Sequence, residues 1–277
     1  MLPRSEQLRV GDRGPRLHAL HWGAAGAPLV VLLHGGGANA HWWDHVAPAL
    51  AAGRHVVALD FRGHGDSDRP DDLRPGAFDE DLRALLEHVG AGDCVLVGHS
   101  MGAHVALARA ADDPPRGLVL LDPSRGSEKR RSRRLRLALS FRRSYATREE
   151  AVERFRFLPD AEHAADALRR AIARHSVEEL PDGRFGYKFD SRWFGLPPAE
   201  RPDPARVACP TLVVRGEESE ILSDEGARAL CDELPRARLA VVAGAGHHVQ
   251  IDRPDAVIEL LLGFLAELEA GRDARTA

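Results

Sequence analysis

The stretch CVLVGHSMGAHVALARA, Cys94 to Ala110, decides the fold. Its first four residues are apolar at consecutive positions rather than alternating, which is how a strand buried on both faces of a parallel sheet reads. Its last eight are Ala-rich and read as a helix. Between them Gly98-His99-Ser100-Met101-Gly102 matches G-x-S-x-G in a strand–turn–helix setting. So sharp a turn strains the backbone at Ser100, and a glycine two residues away on each side keeps side chains clear. The hydroxyl then projects above the sheet, beside the positive end of a helix. Ser100 is therefore a candidate nucleophile, where a plain Gly-rich turn would carry no chemistry.

Similar apolar runs occur at residues 29–33, 55–59, 118–121, 211–214 and 239–242, each bounded by Gly, Pro or Asp. Helical patterns lie at 41–52, 78–89, 101–111, 223–233 (with Ser223 as N-cap) and 254–269. Strand–helix alternation with short turns predicts a doubly wound, mostly parallel α/β sheet. The alternation breaks once, which divides the chain into a core of residues 1–123 and 203–277 and a mostly helical insertion of residues 124–202. Inside the insertion, 149–157 and 161–175 read as helices and 185–189 as extended chain.

Composition narrows the function. The 277 residues carry 38 Lys+Arg against 42 Asp+Glu, a net charge of −4, so no global basic field points to nucleic acid or an anionic membrane. A hydrophobic share of 44% excludes global disorder. No apolar run approaches the roughly 18 residues of a membrane span, and the first residues lack the apolar core of a secretory signal. Cys94, Cys209 and Cys231 are scattered, which argues against a disulfide framework or zinc ribbon and for a reducing, cytoplasmic setting. The Arg residues are uneven: residues 125–148 hold ten basic side chains against Glu128 alone. A solvated helix face is the ordinary account. An anionic small-molecule substrate, or an acidic partner such as an acyl carrier protein, is the sharper one.

Two further segments complete a candidate site. His34-Gly35-Gly36-Gly37 follows the first buried run, where small residues let backbone N–H groups approach a substrate. Gly36 is the favoured oxyanion donor, with Gly35 or Gly37 as alternatives, and Met101, just after the nucleophile, is the second. A phosphate loop is disfavoured, because no Lys-Ser/Thr pair follows the glycines. Gly244-Ala245-Gly246-His247-His248 supplies the base: His247 directly after the glycine is favoured, and His248 is expected to face away or pack. His41-Trp42-Trp43-Asp44-His45 has two histidines four apart, but its order is no standard zinc signature, so no metal is expected and a Trp lining the pocket is preferred. Trp193-Phe194, Tyr187 and Phe189 read as an aromatic packing cluster.

The stretches LVVLLHGGG, VVALDFRGHGDSD, VLVGHSMG, PTLVVRGEESEILS and VAGAGHHVQIDRPDAV together resemble the α/β-hydrolase fold superfamily, of the kind with a helical cap between strands six and seven. The resemblance implies an eight-stranded sheet, a Ser–acid–His chain order and no cofactor. It also implies that the loop Asp60–Ser67 structures the site floor. For the acid it points to the loop after strand seven, where this chain carries Glu220; Asp122, at the end of strand six, is the rival. On position Glu220 is preferred. The expected activity is hydrolysis of a carboxylic ester or lactone by a monomer or homodimer. Alternatives are C–C bond hydrolysis, a carrier-protein thioesterase, and a non-catalytic ligand-binding member. Serine at the elbow argues against epoxide hydrolase chemistry, which in this superfamily uses Asp there.

Overall fold

The computed structural model describes residues 1–72, 74–90, 93–123, 143–195 and 202–276. Eight strands form one sheet: β1 (Arg4–Arg9), β2 (Arg16–Trp22), β3 (Leu29–Leu33), β4 (His55–Leu59), β5 (Cys94–His99), β6 (Gly117–Leu121), β9 (Thr211–Gly216) and β10 (Ala237–Val242). Their spatial order is β1-β2-β4-β3-β5-β6-β9-β10. The β1–β2 and β2–β4 pairs are antiparallel and the rest parallel. All six apolar runs are strands. Every residue of β3, β4, β5 and β6 is buried, because successive side chains enter cores on opposite faces. Val31, Leu96, Leu118 and Val213 face one core, and their neighbours Val30, Val95, Val119 and Leu212 face the other.

The helices α2 (Ala77–His88), α3 (Met101–Asp112) and α6 (Asp224–Glu233) cover the first face, and α1 (Ala47–Leu50) and α7 (Pro254–Thr276) the second. Ser223 caps α6, its Oγ accepting from Gly226 N at 3.0 Å. α3 lies so close to the sheet that a Cβ on Gly102 would sit 2.4 Å from Leu33 O, and one on Gly98 would sit 2.4 Å from Gly102 O. Both motif glycines are thus required by close approach.

The expected helix over 41–52 is split. A 3-10 turn, Ala40–Trp43, follows Asn39, whose side chain accepts from His41 N, and α1 begins only at Ala47. Pro48 lacks the N–H that a continuous helix would need there. The hairpin β1–β2 was not expected: β1 is an edge strand in which Leu8 alone is buried, and β2 mixes His18 and His21 into its buried positions.

β6 pairs directly with β9, and the described residues between them lie outside the sheet. The described part of this insertion holds α4 (Arg148–Arg154), α5 (Asp166–His175) and the hairpin β7 (Val177–Glu179) with β8 (Phe185–Tyr187). Residues 161–165 precede the helix expected to include them, and the Arg-rich run falls mostly on 124–142, outside the described residues. The insertion is sewn to the core by Gly65 N donating to Lys188 O (2.8 Å), Asp190 N donating to Gly63 O (2.6 Å) and Asn39 Nδ2 donating to Ser176 Oγ (3.1 Å). The aromatic cluster is divided. Trp193 packs on Phe78 of α2, ring centroids 4.3 Å apart, while Tyr187 meets Tyr145 and Phe155. Among the described residues no helix is long and apolar enough to cross a membrane.

Candidate active site

The C-terminal ends of neighbouring strands bring the site together. β5 ends at His99 and β6 at Leu121, and Ser100 N donates to Leu121 O at 3.0 Å. Among the described residues the only non-glycine positions with positive φ are Ser100 (51°) and Asp122 (45°). Strain of this kind costs about 1–3 kcal/mol per residue and persists where the surroundings over-determine the backbone. At Ser100 the elbow forces it. At Asp122 the chain turns off β6 into the insertion, its own N–H held by Val214 O at 2.8 Å.

His247 bridges these two residues. Its Nδ1–H donates to Asp122 Oδ1 at 2.8 Å, and the Ser100 hydroxyl donates to its Nε2 at 3.0 Å. The tautomer follows from the carboxylate, which can only accept. His247 comes from the turn after β10, set by Gly246 N donating to Asp252 Oδ2 at 2.8 Å.

The acid differs from the sequence expectation. Asp122, not Glu220, holds the imidazole. Asp122 is fully buried, and three donors converge on its carboxylate: His247 Nδ1 and Ser219 Oγ (2.6 Å) on Oδ1, and Gly216 N (3.0 Å) on Oδ2. Glu220 is exposed in the loop after β9. The single Nδ1 proton is already taken, and that loop reaches the site through Ser219, one residue earlier. Ser219 also accepts from Ile221 N and Leu222 N, both at 3.1 Å, so it braces the loop and Asp122 together.

The loop His34–Gly37 stands over the elbow. A Cβ on Gly35 would lie 3.3 Å from Ser100 Cβ and 2.9 Å from His99 Nδ1, so glycine is what lets the loop come this near. Gly36 is exposed in the turn. Met101 opens α3, where its N–H is among the four that lack an intrahelical acceptor.

Two buried histidines flank the triad geometry. His99 Nε2–H donates to His247 O at 3.1 Å, and His248 Nε2–H donates to Pro159 O at 2.8 Å. Burial, reinforced by the nearby His247, holds both well below the usual histidine pKa, so they are neutral at pH 7. His248 packs its ring against Trp42 and Phe157. One nitrogen from each of His99, His247 and His248 lies within 4.8 Å of the others, but His247 already uses both its nitrogens on Asp122 and Ser100. In the other histidine pair, His41 Nδ1–H donates to Asp44 Oδ2 (2.8 Å) while His45 Nε2–H turns away to Gln250 O (2.7 Å). His99 and Ser219 are the residues that sequence reasoning passed over. Their only signal is adjacency, one beside the nucleophile and the other beside the expected acid.

Comparison with known proteins identifies the family. Residues 30–260 match the model of the "Alpha/beta hydrolase family". The chain is 32% identical to esterase Rv0045c of Mycobacterium tuberculosis over 95% of this chain and 90% of that one. It is likewise 32% identical to 2-hydroxymuconate semialdehyde hydrolase of a Pseudomonas species, over 91% of each. The solved structure of E-2-(acetamidomethylene)succinate hydrolase superposes with a TM-score of 0.82 at 22% identity, covering 95% of this chain and 99% of that one, a likeness of fold. Matched sheet, matched family model and full-length relatives place the chain in the alpha/beta hydrolase family.

Proposed function

We propose that the chain is a serine hydrolase that cleaves a carboxylic ester or lactone of a small molecule through an acyl-enzyme. The hydrogen-bonded line Ser100–His247–Asp122, at 3.0 and 2.8 Å, carries this reading. Ser100 Oγ attacks the carbonyl carbon as its proton passes to His247 Nε2. Asp122 keeps the imidazole in the right tautomer and balances the imidazolium. The N–H groups of Met101 and Gly36 receive the oxyanion. His247 then protonates the leaving alkoxide. Water attacks the acyl-enzyme, its proton going to His247, and Ser100 regains a proton as the acid departs.

A fluorophosphonate probe followed by mass spectrometry tests the nucleophile without knowledge of the substrate. Labelling on the peptide bearing Ser100, lost in Ser100→Ala, is expected. An unlabelled protein would sink the reading and favour a ligand-binding role. The 32% identity to a semialdehyde hydrolase favours C–C bond hydrolysis as the second reading. Turnover of a β-diketone well above that of p-nitrophenyl butyrate would select it.

A further inference from the structure

The groove between α4 and α5 stands apart from the triad. It has a volume of about 780 Å³, in the range of small-molecule sites. Five arginines line it, Arg148, Arg156, Arg169, Arg170 and Arg174, against three carboxylates. Three of the five are engaged. Arg148 donates to Val177 O, Arg156 to Glu153 O and Phe155 O, and Arg169 to Asp160 Oδ1 at 2.7 Å. Arg170 and Arg174 are exposed, and neither has an ion-pair partner among the described residues. They are four apart on α5, so they share a face. Two guanidiniums on one wall of a concave surface form a site for a planar or tetrahedral anion.

Side-chain packing joins the groove to the catalytic end of the sheet. Phe157 is its aromatic floor, with the Arg169 guanidinium 5.2 Å over one side of the ring. The same ring lies 5.2 Å from Trp42 and 5.8 Å from His248, centroid to centroid. One side chain thus separates the cationic groove from the residue next to His247.

The geometry points to Arg170 and Arg174 as the recognition site for an anionic group carried by the substrate, a carboxylate or phosphate distant from the cleaved bond. This rests on the hydrolase reading and names its substrate class. The anion adds attraction that a neutral ester lacks, so it acts on kcat/KM and is screened by salt. The bland account of Arg174, a cation in the last turn of a helix, gives no such substrate dependence.

The test compares three acyl donors: neutral p-nitrophenyl butyrate, its ω-carboxylate counterpart mono-p-nitrophenyl glutarate with the same leaving group and, for a phosphate source, the thioester butyryl-coenzyme A. The readout is the ratio of kcat/KM for each anionic substrate to that for the neutral ester, in wild type and in Arg170→Glu/Arg174→Glu. A general loss of fold or activity cancels in the ratio. For at least one anion the ratio is expected to fall tenfold or more in the variant, and to fall in wild type between about 20 and 300 mM NaCl. A response to the glutarate ester alone assigns a carboxylate, and one to the thioester alone assigns a phosphate. Ratios that neither the variant nor salt moves would overturn the proposal. If wild type turns over none of the three, butyryl-coenzyme A and glutarate binding to Ser100→Ala is measured by calorimetry. Binding that the double variant abolishes keeps the anion site while the hydrolase reading fails, and no binding overturns the site as well.

Discussion

The triad end of the sheet and the arginine groove are built on opposite principles. At the sheet end Ser100, His247 and Asp122 form one hydrogen-bonded line, two residues are held in left-handed backbone, and the flanking His99 and His248 are neutral. In the groove four of the five arginines are exposed, two are unpartnered among the described residues, and none depends on strain. The first arrangement fixes one geometry to within tenths of an ångström, which proton transfer requires. The second fixes only a field. Substitutions at the sheet end should therefore act on kcat, and those in the groove on the choice of substrate.

The largest expected effect breaks the sheet end at its acid. Asp122→Asn should lower kcat on p-nitrophenyl butyrate by about 10⁴-fold, because the amide can donate where His247 Nδ1 needs an acceptor. Glu220→Gln should stay within about twofold. The reverse result would return the role to the loop after β9.

Acid should likewise separate the regions. Burial lowers the pKa of His34 and His64, the latter to about 3, and of His99 and His248. All four cluster at the sheet end. Each is neutral when folded and would take up a proton on unfolding below about pH 6.5. The unfolded state thus binds more protons, so stability is full above that pH and declines as pH falls toward the folded values. Each such histidine contributes up to about 1.4 kcal/mol per pH unit. The urea midpoint should drop steeply from pH 6.5 to 5 while arginines keep their charge. A flat midpoint would mean these imidazoles are already charged in the fold.

His99 is the next point of attack. It joins the elbow to the histidine turn through His247 O, and it faces Gly35 of the loop after β3. His99→Phe should lower kcat by roughly tenfold to a hundredfold with KM little changed, the loss of one buried hydrogen bond at about 1–3 kcal/mol. His99→Gln keeps a donor near the same place and should recover part of that loss. Equal losses in both would reduce His99 to packing.

How much of this was legible in the sequence follows from the same contrast. Strands buried on both faces announce themselves, because two cores demand apolar residues at every position, as in residues 29–33 and 118–121. Edge strands do not, and β1, with Leu8 as its single buried residue, left no pattern. Ser100 and His247 were readable because each needs glycines around it for steric reasons. The acid was not, because a carboxylate needs no special neighbours. Spacing along a loop does not reveal which carboxylate meets an imidazole from another strand. What selects Asp122 is that β6 lies between β5 and β9, a fact of sheet order. The helix break at Pro48 was readable in principle, since proline at that position stops a helix entering from the N-terminal side.

Sheet order also gives the smallest and most discriminating test. If Asp122 serves because β9 braces it, the brace itself should be measurable. Ser219 Oγ donates to Oδ1, the oxygen that also accepts from His247. Ser219→Ala removes that donor and leaves Gly216 N on Oδ2. A carboxylate relieved of one donor is more basic toward the remaining one, yet less well fixed. The net loss should be about 1 kcal/mol, roughly fivefold in kcat. A change in KM alone would mean that Ser219 supports only the loop, and the bracing of Asp122 would then rest on Gly216.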